Sequence, residues 1–254
     1  MDQAELKEFL DVKVNQYNRI EFIETDPIQI PKRFTRKEDI EIIAFLVATI
    51  AWGKRSSIIK SGNRIAEIMN ESPFDFVLNF TENDSEKLSG FVHRTFNEND
   101  LQGFILGLKN IYENHEGIES VFAKFAQPKT LQPAIHQFKK IFFSIPHLKR
   151  TEKHISDPLK NSAAKRINMY LRWMVRKDNK GVDFGIWNSL KSSQLSCPLD
   201  VHTGNVARKL GLITRKQNDG KALIELDNSL RTFDSVDPVR YDFALFGLGI
   251  FENF

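Results

Sequence analysis

Cysteine is almost missing from this chain. The single residue, Cys197, rules out an intrachain disulfide, a zinc site built on several thiolates and an iron–sulfur cluster held by four protein cysteines. Long apolar runs are missing too, and nothing approaches the roughly 18 residues that span a bilayer. The first residues, Met1-Asp2-Gln3-Ala4-Glu5-Leu6-Lys7-Glu8, are charged and carry no signal-peptide core. A cytoplasmic address and no membrane partner are the expectations. Tyrosine and tryptophan are scarce, 4 and 3, beside 21 phenylalanines. A core rich in phenylalanine is expected. Period-two alternation is nearly absent, so sheet should be minimal. His93, His115, His136, His147 and His154 show no metal-ligand spacing. The expectation is no metal and no cofactor.

What is present is helical patterning over 254 residues. Leu6, Phe9, Leu10, Val14 and Tyr17 recur at helical spacing over 3–17. Residues 20–35, with Pro27 and Pro31, read as an extended loop. Thr35 with Glu38 reads as a capping box opening a helix from Ile40 to Ala51 that is apolar nearly all round, and so central and buried. Gly53 ends it, and a further helix follows to about 69. Shorter helices are expected at 72–79, 84–90, 98–114, 118–125 and 130–144. A strong one follows at 160–176, then others at 202–209, 219–232 and 237–247. Asp237-Pro238 is a start signal for the last. The fold class is all-α. The chain is expected to form a single compact unit, with a six-helix-like lobe at about 36–150. The second lobe would be about 151–254 with the N-terminal segment.

Net charge is +3, but its distribution is uneven. Ten Lys/Arg and three acids lie between Lys149 and Lys180. Such a run is either a solvated face or a surface for an anionic partner. Within it, Lys165 and Arg166 fall in the first turns of a helix, where the macrodipole disfavours positive charge. Local rules are broken where function or an anionic ligand compensates. Downstream, Asp200 opens a short helix in Pro198-Leu199-Asp200-Val201-His202-Thr203. It is either a plain N-cap or a carboxylate fixed beside a cleft, and the two roles are compatible.

Three stretches together resemble the helix-hairpin-helix DNA glycosylases, the endonuclease III superfamily. Asp237 to Gly249 is similar to that superfamily's last core helix. Pro198 to Leu212, ending Arg208-Lys209-Leu210-Gly211-Leu212, is similar to its aspartate segment. Ile40–Ala51 with Lys54–Ile65 is similar to its first core helices. The closest subgroup in flavour is the archaeal 8-oxoguanine glycosylases, which also place a long insert between lysine and aspartate. Membership of a bacterial family related to the superfamily is a further expectation. The resemblance implies a two-lobed glycosylase-like fold and base-excision repair of an oxidised base such as 8-oxoguanine, with or without AP-lyase activity. The partner would be double-stranded DNA with a damaged base flipped out of the duplex. Lys165 would be the nucleophile. Asp200 would offset the oxocarbenium-like charge. Lys160, Arg166, Arg172, His202 and Trp173 would contact the DNA, Trp173 by stacking.

The sequence departs from the family in its hairpin. Ile155-Ser156-Asp157-Pro158-Leu159-Lys160-Asn161-Ser162 has no glycine to let backbone N–H groups approach a phosphate, and Asp157 would repel one. Trp52-Gly53 stands where the family often has a probing glutamine. Lys160 remains a rival nucleophile. Two other readings stay open: a non-catalytic DNA-binding protein on the same scaffold, and a helical interaction protein that does not touch nucleic acid.

Overall fold

A computed structural model describes residues 2–254. The fold is predominantly helical, and among the described residues the only strands are β1 (Val92–His93) and β2 (Phe96–Asn97). They pair antiparallel, His93 opposite Phe96. The chain divides into two compact units.

The first unit is built from the N-terminal segment through Phe22, Ala126–Pro133 and Asp157–Phe254. Its opening helix, α1 (Gln3–Tyr17), begins where Asp2 accepts the Ala4 and Glu5 N–H groups while Glu5 accepts from the Asp2 N–H. This reciprocal cap satisfies donors that the first turn leaves open. Leu6, Leu10, Val14 and Tyr17 fall on one buried face.

The second unit comprises Ile23–Phe125 and Ala134–Ser156. Its elements are α2 (Lys37–Thr49), α3 (Arg55–Ile68), α4 (Pro73–Asn79), α5 (Glu98–Asn114), α6 (Ile118–Phe125) and most of α7 (Gln132–Phe142). Every residue of α2 from Asp39 to Thr49 is buried, as its all-round apolar pattern requires. The phenylalanine core is concentrated here, where Phe45 meets Phe104, Phe138 and Phe142 with ring centroids 5.4–5.7 Å apart.

Two expectations fail at the entrance to α2. Residues 20–35 form three 3-10 turns rather than an extended loop. Pro27 and Pro31 each open one, and Asp26 caps the first of these from below by accepting the Ile28 N–H. The N-cap of α2 is Arg36, with no side-chain cap bond, so Thr35 is not the cap. Likewise 82–88 is a 3-10 segment.

The first unit continues with α8 (Lys165–Val175), α9 (Val201–Lys209), α10 (Gly220–Phe233) and α11 (Tyr241–Phe251). Leu6, Leu10 and Val14 of α1 share a core with Val206 and Ala207 of α9, Leu223, Leu226 and Leu230 of α10, and Tyr241, Leu245 and Leu248 of α11. At Gly247 a Cβ would lie 2.2 Å from the Tyr17 ring, so glycine there sets how closely α1 and α11 approach. Asp237 does not cap the last helix through its side chain. Pro238 opens a 3-10 turn, α11 follows from Tyr241, and Asp237 instead binds Arg176.

Candidate functional site

The helix carrying Lys165 begins five residues later than its apolar pattern suggests. Before it, Pro158–Lys160 make a 3-10 turn, with Asp157 accepting the Leu159 N–H at 3.0 Å. The Asp157 carboxylate is thus turned onto its own backbone and buried. Asn161 and Ala164 then adopt left-handed conformations, at φ 61° and 46°. Asn tolerates this region. Ala incurs roughly 1–2 kcal/mol there, so surrounding structure must hold it. Ala164 is buried, and its N–H donates to Ser162 Oγ at 3.1 Å. Ser162 itself bridges to Asp219, and Asn161 accepts from the Gly220 and Lys221 N–H groups through its carbonyl and side chain. The loop is therefore clamped onto the start of α10, and Lys165 leaves it as the first helical residue.

Asp200 is positioned from the other side. It is the N-cap of α9, accepting the Thr203 N–H at 3.0 Å. Its carbonyl accepts from Asn218 Nδ2 at 2.8 Å, and Asn218 Oδ1 accepts from Arg208 at 2.5 Å. Gly204 makes room for this bracket, since a Cβ there would sit 2.4 Å from Asn218 Oδ1. The Thr203 hydroxyl, buried beside the cap, finds no partner among the described residues.

These two constructions meet. Lys165 Nζ lies 3.9 Å from Asp200 Oδ2, with side-chain exposures of 27% and 23%. An amine and a carboxylate 35 positions apart in sequence therefore share one partly open place. Lys165 Nζ also lies 3.8 Å from Met169 Sδ, one helical turn on.

Behind the pair is a buried carboxylate that is not among the residues expected from the sequence. Asp242 of α11 is 4% exposed. Burial pushes it up to about 6, the Arg172 charge opposes that, the Asp200 charge adds to it and Lys165 opposes it. Asp242 thus lies within the electrostatic reach of both candidate residues. It pairs with Arg172, which also donates to Asp183 at 3.2 Å. Asp183 in turn binds Arg176 at 3.1 Å, and Arg176 binds Asp237 at 3.0 Å and Asp178 at 2.8 Å. The Phe243 ring lies 4.4 Å from the Arg172 guanidinium and 5.3 Å from that of Arg176. Cys197 Sγ donates to Asp242 at 3.6 Å, and burial raises its thiol well above the usual value, so it is a neutral donor rather than a nucleophile. Asp242 had a visible signal: a lone buried acid in the apolar run Tyr241 to Phe251.

The remaining expected contacts scatter. Lys160 and His202 are exposed. Arg166 is partly buried, and burial works against its charge. Arg172 is 5% exposed and engaged in ion pairs, so it does not offer its guanidinium to a phosphate. Trp173 is 1% exposed, and a ring so enclosed has no face on which a base can stack. Trp187 is likewise buried, against Tyr170. Trp52, in the other unit, packs on His93 and His154.

Among the described residues no group of His, Cys, Asp and Glu could hold a metal ion, and no helix is long and apolar enough to cross a membrane. The fold and site define a predominantly helical protein with a lysine–aspartate pair at the starts of two helices. The chain belongs to the family described as protein of unknown function DUF2400, which matches residues 26–251. That span includes Lys165, Asp200 and Asp242 and leaves out α1. No curated protein and no solved structure matches the chain.

Proposed function

We propose that this protein is a base-excision DNA glycosylase on a helix-hairpin-helix-like scaffold, acting on an oxidised base such as 8-oxoguanine in duplex DNA. The observation that carries the reading is the 3.9 Å approach of Lys165 Nζ to Asp200 Oδ2 at a partly open position. A solvent-accessible pair of this kind, not buried away from water, contributes only about 0–1 kcal/mol to stability. Its supports are heavier than that value calls for: a strained loop behind the lysine, and a cap, an amide bracket and a close glycine around the aspartate. Elaborate positioning of a weak ion pair is what a reacting site requires.

In this reading the damaged nucleotide is flipped out of the duplex to reach the pair. The bond from the sugar C1′ to the base nitrogen breaks, and its electron pair leaves with the base. The Asp200 carboxylate offsets positive charge developing on the sugar ring. The departing base nitrogen takes a proton from the Lys165 ammonium, and the amine freed in this way supplies the electron pair for a new C1′–N bond. Moving one proton from that nitrogen to the ring oxygen lets the C1′–O bond break, which opens the sugar and leaves an iminium that borohydride reduces to a stable adduct. Asp242 is the buried negative charge behind this exchange, held in place by Arg172. Of the DNA contacts expected from the sequence, the exposed Lys160 and His202 remain to meet phosphates, whereas Arg172 and Trp173 lie inside.

The test is borohydride trapping with duplexes carrying single lesions, 8-oxoguanine first. Wild-type protein and Lys160→Ala should form the covalent adduct, and Lys165→Ala should not. Asp200→Asn should slow base release by about a hundredfold or more. If no lesion is released or trapped, while duplex binding persists and is unchanged in Lys165→Ala, the protein is a non-catalytic DNA binder and the enzymatic reading fails.

A further inference from the structure

A cavity of about 400 Å³ opens in the first unit, lined in part by Asn161 and Ser162 of the loop before Lys165, while neither Lys165 nor Asp200 lines it. Its size falls in the range of small-molecule sites. Its walls are mostly apolar: Pro133, Pro158, Leu159, Leu223 and Ile224. Leu159 and Ile224 are 63% and 60% exposed at the cavity, two large apolar side chains left facing water at one place. Isolated exposed leucines need no explanation, but apolar groups gathered at the edge of a concave site do.

The polar groups converging on it have a definite pattern. Arg231 draws the 126–133 segment against α10 by donating to the Lys129 carbonyl at 3.2 Å and to the Leu195 carbonyl at 3.0 Å. Asp227 is 7% exposed. One of its oxygens accepts the Cys197 N–H at 2.9 Å, and the other lies 3.8 Å from Arg231, beyond hydrogen-bond length. Gln132 donates through its amide nitrogen to Asn168 at 3.0 Å, which leaves its Oε1 buried with no partner among the described residues. Asp227 also interacts with the Ser196 hydroxyl, but a carboxylate can accept about four such bonds, so it keeps room for another donor, and Gln132 Oε1 has none among the described residues. Lys129 and Lys221 also line the cavity and are exposed. With Arg231 they outnumber the single acid.

A ligand that suits this arrangement has flat apolar faces for the prolines and aliphatic side chains. It carries N–H donors for Asp227 and Gln132 and negative charge for the two lysines. We propose that the cavity binds a nucleoside phosphate whose base bears an exocyclic amino group, either free or as one nucleotide of a single strand. A carboxylate is the natural acceptor for such an amino group. This second nucleotide site does not depend on the chemistry proposed for Lys165. Burial lifts Asp227 to about 6, so affinity for an amino-bearing base should fall as the solution is acidified through that value and the acceptor takes a proton.

Isothermal titration of the full chain with GMP, AMP, CMP and UMP, and with short single strands of C and of T, tests the proposal. Saturable binding of the amino-bearing members, at least about tenfold tighter than of UMP or the T strand, is the expected result. If mononucleotides suffice, the ligand is free. If only the C strand binds, it is a strand nucleotide. Ile224→Glu, at an exposed position, should abolish binding without unfolding the protein. Asp227→Asn should erase the preference for amino-bearing bases. Lys165→Ala should bind as wild type does, which separates this site from the excision reading. Absence of binding by every probe, equal affinity for UMP and CMP, or binding untouched by Ile224→Glu would each overturn the proposal.

Discussion

Asp227 and Asp242 show how a single buried side chain couples this fold to pH. Each is pushed up to about 6 by burial, against roughly 3.9 in an unfolded chain. A carboxyl raised in the native state contributes stability that is fully present below its unfolded value and is lost as pH rises through its native one. For Asp227 the window is therefore about pH 4 to 6. Asp227→Asn removes the titration, so the variant should gain on wild type across that window, by an amount that levels off above it. Urea midpoints measured from pH 4 to 8 would show this, and a difference that does not vary with pH would refute the burial argument. Ala164 makes the complementary point about backbone. Its φ of 46° is tolerable for alanine and poor for a β-branched residue. Ala164→Val should destabilise the protein by about 2 kcal/mol and, by moving the start of α8, lower the yield of any Lys165 adduct. Comparing urea stability with adduct yield measures both effects. The strain at Ala164 could not be read from residue type, because nothing in Ser162-Ala163-Ala164-Lys165 distinguishes a left-handed alanine from a helical one. That is why the expected helix began near 160.

The longer helices were legible from their period. In α1, α2 and α5 the apolar spacing survives in the burial pattern. Legibility failed where tertiary partners decide the ends. Thr35 followed by Glu38 has the spacing of a capping box, yet α2 starts from Arg36, whose side chain stacks on Phe74 with its guanidinium 4.2 Å from the ring. Asp200 was readable as a cap, and its approach to Lys165 was an expectation that geometry alone could supply. Arg172 shares a helix with Lys165, but its two carboxylates come from 11 and 70 residues away, so spacing could not reveal that it is engaged. The start of α9 offers a direct test of element positioning. Gly204→Ala would force a Cβ against Asn218 and displace the amide that holds the Asp200 carbonyl. A loss of about 1–3 kcal/mol is expected. Asn218→Ala should produce part of the same loss on its own, and the double variant should be less than additive because the two residues share one contact. Additive losses in equilibrium unfolding would show that the bracket does not exist.

At the scale of the whole molecule, each unit draws on segments distant in sequence. The first needs α1, the 126–133 strand of chain and everything after Asp157. The family match begins at residue 26, yet Leu6, Leu10 and Val14 lie in the same core as α9, α10 and α11. Burying one such side chain contributes about 1.5–3 kcal/mol. Removing residues 2–22 should therefore strip protection from the amides of α9, α10 and α11 while leaving those of α2 and α5 protected, since none of the removed residues belongs to the second unit. Hydrogen exchange on the truncated chain would read this out, and uniform loss of protection would show that the two units unfold together.

The carboxylates and guanidiniums running from Asp242 through Arg172, Asp183 and Arg176 to Asp237 have a consequence for how this protein can vary. Deleting one member of a buried ion pair strands the other, at a penalty of about 3–5 kcal/mol, whereas exchanging a whole set for well-packed apolar residues is often harmless. Conservative drift one link at a time is therefore blocked, and an Arg172→Leu design should succeed only when Asp242 and Asp183 are changed with it. Because Asp242 is the link nearest Lys165 and Asp200, such a repacked variant would keep its shape and lose the negative charge beneath them. It would separate what that charge does for the fold from what it does for the reacting pair.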